Sequence, residues 1–141
     1  MAMQNISIIG GGLMGAGIAQ IFAVSGYRVK VFEPNAEVRA SIHNRTISNL
    51  EALGDDVSVV EQIECLGDLA EAVKDADFVT EAAPEKLELK QSIFADLIKY
   101  SPRDCILASN TSVIPITKIA DGLETADRII GTHWWLSLIH I

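Results

Sequence analysis

The sequence predicts a single doubly wound α/β domain built on a parallel sheet. Three observations carry that prediction. Short apolar runs rich in Ile and Val alternate with longer stretches of helical periodicity. A glycine cluster joins the first such run to the first helical stretch. A chain of 141 residues at 49% hydrophobic composition also suits one core.

Taken in order, residues 6–9 form the first strand, and residues 13–25 form a helix that places Ile18, Ile21 and Phe22 on one side and stops at Gly26. Residues 28–32 form the second strand. Pro34 and Asn35 open a mostly polar helix that runs to Leu53, and residues 57–63 form another short helix. A third strand is expected over 64–66, a short helix over 69–74 and a fourth strand over 78–80. The long helix 86–100 leads to a fifth strand at 105–108. Pro115 fits the first turn of a helix over 116–120, and a last strand covers 128–131. No repeat or low-complexity linker interrupts the alternation.

The net charge of -8 argues against nucleic acid and against an anionic membrane surface, since neither is drawn to an acidic protein. A small-molecule partner is expected. Cys65 and Cys105 lack the close spacing and neighbouring histidines of a metal site, so no metal is expected and both read as reduced core residues. Residues 1–5 run into the first strand without a basic segment, a long apolar span or a small-residue cleavage site, which predicts a cytoplasmic protein.

Gly10-Gly11-Gly12-Leu13-Met14-Gly15 satisfies the GxGxxG pattern between a strand and a helix. In a Rossmann-type fold Gly10 permits the tight turn, Gly12 lets backbone approach a pyrophosphate, and Gly15 lets helix and strand pack closely. Leu13 and Met14 then lie at the helix start, where free N–H groups and the helix dipole face the phosphates. Glu33 ends the second strand at the spacing where a carboxylate accepts hydrogen bonds from the adenosine ribose and repels the extra phosphate of NADP. The expected cofactor is NAD.

Four more segments follow in order: Asp75-Ala76-Asp77, Ala83-Pro84-Glu85 running to Lys90, Ala108-Ser109-Asn110-Thr111-Ser112, and Gly131-Thr132-His133-Trp134-Trp135. With the glycine loop they resemble the 3-hydroxyacyl-CoA dehydrogenases. That resemblance implies an NAD-dependent oxidoreductase of fatty acid metabolism that converts an L-3-hydroxyacyl-CoA, such as 3-hydroxybutyryl-CoA, to the 3-oxoacyl-CoA. It implies cofactor contacts from Glu85 and Lys90, and it puts Ser112 beside the nicotinamide and the substrate's 3-oxygen. It makes His133 the base that takes the hydroxyl proton. His43, in a polar helix, has no such support.

The chain also departs from that family. Leu136 stands where the family has the asparagine of an Asn-Pro pair, and the residues that would supply a histidine-orienting glutamate and a helical, dimer-forming domain are not in this sequence. Residues 1–135 are therefore read as the NAD-binding domain of a longer homodimeric protein. Residues 136–141 read as the translation of a sequencing-library adapter, which makes His140 no part of a site. Arg39 and Arg45 are the only basic residues offered to CoA phosphates after Glu33. A free 3-hydroxy acid, as in carnitine or gulonate dehydrogenases, is the alternative substrate, and an inactive NAD-binding module is the other reading.

Overall fold

The computed structural model describes residues 3–135; the expectation for residues 136–141 lies outside them. Its elements are β1 (Asn5–Ile9), α1 (Leu13–Val24), β2 (Arg28–Phe32), α2 (Ala36–Leu53), β3 (Ile63–Leu66), α3 (Leu69–Val73), β4 (Phe78–Glu81), α4 (Leu87–Tyr100), β5 (Ile106–Ser109), α5 (Ile116–Ile119) and β6 (Ile129–Gly131). Two 3-10 turns, Val57–Gln62 and Ala126–Arg128, complete them. The strands form one sheet in the order β3-β2-β1-β4-β5-β6, with every neighbour parallel. This is the doubly wound arrangement that the alternation predicts.

The central strand explains the two layers. Successive side chains of a strand point to opposite faces, so Ile6 and Ile8 join the core beneath α1 and α2 with Val29, Val31 and Ile42. Ile9 joins the other core, where Val79, Phe94, Leu97, Leu107 and Ile119 pack under α3, α4 and α5. From β1 the chain winds outward to β3, then returns to β4 and winds the other way. The crevice above the carboxyl ends of β1 and β4 is the switch point at which such sheets bind ligands.

Several boundaries differ from expectation, each for a physical reason. β4 continues one residue further, to Glu81, and β5 sits one residue later, ending at Ser109. Glu81 and Ser109 are partners in the ladder and both are fully buried. They tolerate burial because Ser109 Oγ donates to Glu81 Oε2 at 2.6 Å. Pro115 caps α5 from outside, at φ -57 and ψ 133, instead of occupying its first turn, and Lys86 likewise precedes α4. Arg128 precedes β6: its guanidinium donates to the carbonyls of Ile98, Pro102 and Cys105, and so satisfies acceptors at the end of α4 and in the turn beyond it.

Cys105 is the core residue expected, and desolvation pushes its thiol up to about 11. Cys65 is only half-buried, because β3 is an edge strand. Both are free.

Asp77 fixes where the sheet starts. Its Oδ2 accepts the N–H groups of Gln4 and Asn5 at 2.8 and 2.9 Å, which holds its carboxyl below the usual carboxylate range. A depressed folded value means that the stabilisation is present above the unfolded pKa and is lost as pH falls through the folded one. Asp77→Ala should therefore cost about 1 kcal/mol at pH 7, the scale of a charge-assisted hydrogen bond at a partly exposed site. In urea unfolding at a series of pH values, the gap between the two proteins should close below about pH 4.

Candidate active site

The glycine loop is wound tightly enough to exclude side chains at two of its positions. Gly10 has φ +108, and a Cβ built on it would lie 2.8 Å from the carbonyl oxygen of Ala82. A Cβ on Gly15 would lie 1.8 Å from the carbonyl oxygen of Gly10. Gly12 is different: a Cβ there would meet nothing within 4 Å. It is the N-cap of α1, and no side chain caps the helix there. Uncapped N–H groups facing open space suit a pyrophosphate.

Glu33 sits directly after β2 and is locked to that loop. Its Oε2 accepts the N–H of Gly11 at 2.8 Å, and its Oε1 accepts the N–H of Asn35 at 2.9 Å. Each oxygen keeps a lone pair for a ribose hydroxyl. From α2, Arg45 donates to the Gly11 carbonyl at 2.5 Å, and Arg39 donates to the Glu33 carbonyl at 2.7 Å. Arg45 thus braces the glycine loop and Arg39 braces the turn at Glu33, roles that their place in a polar helix does not suggest.

A cleft of 1010 Å³ extends from Glu33 past Gly10, Gly12, Leu13 and Met14 to Glu85, Lys90, Asn110 and Ser112. Gly15 lies behind its wall. A second hollow of 400 Å³ opens between the loop after β5 and the segment after β6, with Ser112 and His133 on its lining. Ser112 Oγ lies 3.1 Å from His133 Nε2. With the ring proton on Nδ1, Nε2 is the acceptor, and its one lone pair takes the serine O–H within the smaller hollow. Asn110 sets this arrangement through backbone: its Oδ1 accepts the N–H of Trp134, next to the histidine, at 2.7 Å. The His133 ring also lies against Trp135, with centroids 4.9 Å apart.

Lys90 occupies an unexpected environment. The i, i+5 spacing from Glu85 is also that of a charged pair on a solvated helix face, yet the Lys90 side chain is 1% exposed. Its Nζ donates to Glu81 Oε1 at 2.7 Å and to the Ala83 carbonyl at 3.1 Å, and lies 3.4 Å from Glu85 Oε1. Glu85 in turn accepts from Thr111 Oγ1 at 2.7 Å. Among the described residues no cluster of His, Cys, Asp or Glu could hold a metal ion. Of the remaining motif residues, Asp75 pairs with Lys30 at 2.8 Å, and His43 Nε2 bonds the Ile63 carbonyl.

A family described as the 3-hydroxyacyl-CoA dehydrogenase NAD binding domain matches residues 5–138. The chain belongs to that family. This 3-hydroxyacyl-CoA dehydrogenase domain is 41% identical over 140 residues to the peroxisomal fatty acid beta-oxidation multifunctional protein MFP2 of Arabidopsis thaliana, covering 94% of this chain and 19% of that protein. It is 35% identical over 142 residues to a 3-hydroxybutyryl-CoA dehydrogenase of Mycobacterium tuberculosis, covering 95% and 50% respectively. The crystal structure of FadB2 from M. tuberculosis superposes with a TM-score of 0.90 at 33% identity, over 96% of this chain and 50% of that one. The domain thus spans half the length of that dehydrogenase, and less of the multifunctional protein.

The 3-hydroxyacyl-CoA dehydrogenase domain is an NAD-binding domain, and its own geometry fits that cofactor. The loop excludes side chains where the chain must turn, leaves Gly12 open, and carries an anchored acid at Glu33. No helix among the described residues is long and apolar enough to cross a membrane. Names among the relatives include peroxisomal and mitochondrial ones, so they do not support the cytoplasmic expectation. Glu81 is the residue that sequence reading passed over. An acid closing a buried parallel strand demands a cation nearby, and that was the available signal.

Proposed function

We propose that the complete protein is an NAD-dependent oxidoreductase that converts an L-3-hydroxyacyl-CoA to the 3-oxoacyl-CoA in fatty acid metabolism. The 3.1 Å contact between Ser112 Oγ and His133 Nε2 carries this reading, because it puts a base beside a hydroxyl that lines the same cleft as Glu33, three strands across the sheet. NAD, when bound, supplies the acceptor for the hydride leaving carbon 3. His133 Nε2 takes the hydroxyl proton as the carbonyl forms, and in the reverse direction returns it to the ketone oxygen. Ser112 Oγ orients the substrate oxygen against Nε2. Glu85 and Lys90 shape the wall beside them, while Gly10, Gly12, Leu13, Met14 and Gly15 form the phosphate end.

An orienting carboxylate for His133, a cover over the substrate and a homodimer contact are assigned to sequence outside residues 1–135, on the strength of the family resemblance. The free 3-hydroxy acid remains a second reading for one specific reason. Arg39 and Arg45, the basic residues available to CoA phosphates, already donate to backbone carbonyls. Assay of the complete polypeptide with 3-hydroxybutyryl-CoA and with the free acid decides between them by kcat/KM.

The cofactor assignment has a separate test on the 141-residue chain. NADH should bind more tightly than NADPH, since Glu33 would meet the added 2'-phosphate with like charge. Glu33→Ala should weaken NADH by about 1 to 2 kcal/mol, roughly 5- to 30-fold. Equal affinities for the two cofactors in a fluorescence titration would refute this role for Glu33.

A further inference from the structure

Glu81 carries a charge that the fold itself does not need. Its side chain is 0% exposed and its partner Lys90 is 1% exposed, and a buried ion pair is no more stabilising than well-packed apolar residues of the same volume. Apolar residues replacing Glu81 and Lys90 together would often serve the sheet as well, although removing one alone strands the other. What distinguishes Glu81 is where its hydrogen bonds go.

Every bond from the Glu81 carboxylate leads toward a wall of the cleft. Oε1 accepts Lys90 Nζ at 2.7 Å and the N–H of Ala83 at 2.6 Å, while Oε2 accepts Ser109 Oγ at 2.6 Å. Its backbone carbonyl accepts the N–H of Asn110 at 2.8 Å. Lys90 passes the constraint on to the Ala83 carbonyl and to Glu85, and Glu85 is tied across to Thr111 on the other wall. Ala83, Glu85, Lys90 and Asn110 all line the cleft, but Glu81 does not. One buried carboxylate therefore joins the loop after β4 to the loop after β5, without facing the ligand space itself.

We propose that Glu81 is a positioning residue for the nicotinamide half of the cofactor: through Lys90, the Ala83 N–H and Ser109 it fixes the two loops that form that end of the cleft. The proposal rests on the reading above that the nicotinamide end lies by Ser112 and the adenosine end by Glu33. It separates the two halves of the ligand. The glycine loop and Glu33 share no hydrogen bond with this cluster and meet it only where Gly10 packs on the backbone of Ala82 and Ala83, so the adenosine diphosphate portion loses far less when the cluster is disturbed.

The experiment measures ADP and NADH affinities by calorimetry for the 141-residue chain, with thermal unfolding recorded alongside. Glu81→Gln removes the charge and keeps the shape. It should raise the Kd for NADH tenfold or more while changing the Kd for ADP less than twofold. If Glu81→Gln fails to fold, Ser109→Ala, which takes one bond from the carboxylate and alters no residue lining the cleft, is measured in its place, and the same split between ADP and NADH is read there. Affinities for ADP and NADH that fall together, or a variant that binds both as wild type does, would overturn the proposal. A wild-type chain that binds neither ligand overturns the cofactor assignment beneath it, and the proposal with it. ADP binding without tighter NADH binding in the wild type removes the nicotinamide placement alone, which again overturns it.

Discussion

In the complete polypeptide, His133→Ala should lower kcat by about 100-fold or more while leaving NADH affinity within roughly twofold. The split follows from position. His133 lies after β6 at the far end of the crevice, partnered by Ser112 Oγ, and it does not line the large cleft that holds the glycine loop and Glu33. Removing its ring takes away the lone pair that accepts the hydroxyl proton and leaves the dinucleotide site intact. Ser112→Ala should cost less, about tenfold, because it removes an orienting hydroxyl and keeps the base. The 141-residue chain should bind NADH without turning over 3-hydroxybutyryl-CoA, since an imidazole without an orienting carboxylate and a water-excluding cover is a poor base. A His133→Ala enzyme with full activity would make the histidine structural. Turnover by the 141-residue chain would show that it needs neither.

The parts of this domain that could be read from sequence are those set by local rules. Strand–helix alternation, the GxGxxG turn and the acid at the end of β2 each depend on residues close in the chain, and they lead to the sheet order and to the loop that Glu33 anchors. The parts that could not be read depend on partners far apart. Glu81 and Ser109 fall outside the strands expected at 78–80 and 105–108, because polar residues close a hydrophobic run. The 28-residue link between them, with Lys90 Nζ and the Ala83 N–H on Glu81, makes their burial tolerable. The same holds for Lys90, whose spacing from Glu85 suggests an exposed pair until Glu81 is placed beneath it. Arg45 belongs here too, since a polar helix gives no sign that one of its arginines reaches back 34 residues to the Gly11 carbonyl.

Gly15→Ala and Gly12→Ala should fail in opposite ways, although both remove a glycine from the same loop. At Gly15 the new Cβ would lie 1.8 Å from the Gly10 carbonyl oxygen and 2.8 Å from its carbon. Both atoms are backbone, so no side-chain rotation relieves the clash. α1 must move off β1, and both are central to the core beneath α1 and α2. The expected loss is about 3 kcal/mol or more, at the upper end of overpacking costs, and NADH binding should be lost with it. At Gly12 the Cβ meets nothing within 4 Å, and φ is -67, which any residue accepts. Stability should stay within about 0.5 kcal/mol. NADH affinity should nonetheless fall about tenfold, because the methyl group occupies the space through which the pyrophosphate reaches the helix N-terminus. Urea unfolding and NADH titration on the two variants resolve the pair. A Gly12→Ala protein that binds NADH as wild type does would mean that the phosphates do not sit on the α1 N-terminus. A Gly15→Ala protein of unchanged stability would mean that helix and strand are not packed at the distance described.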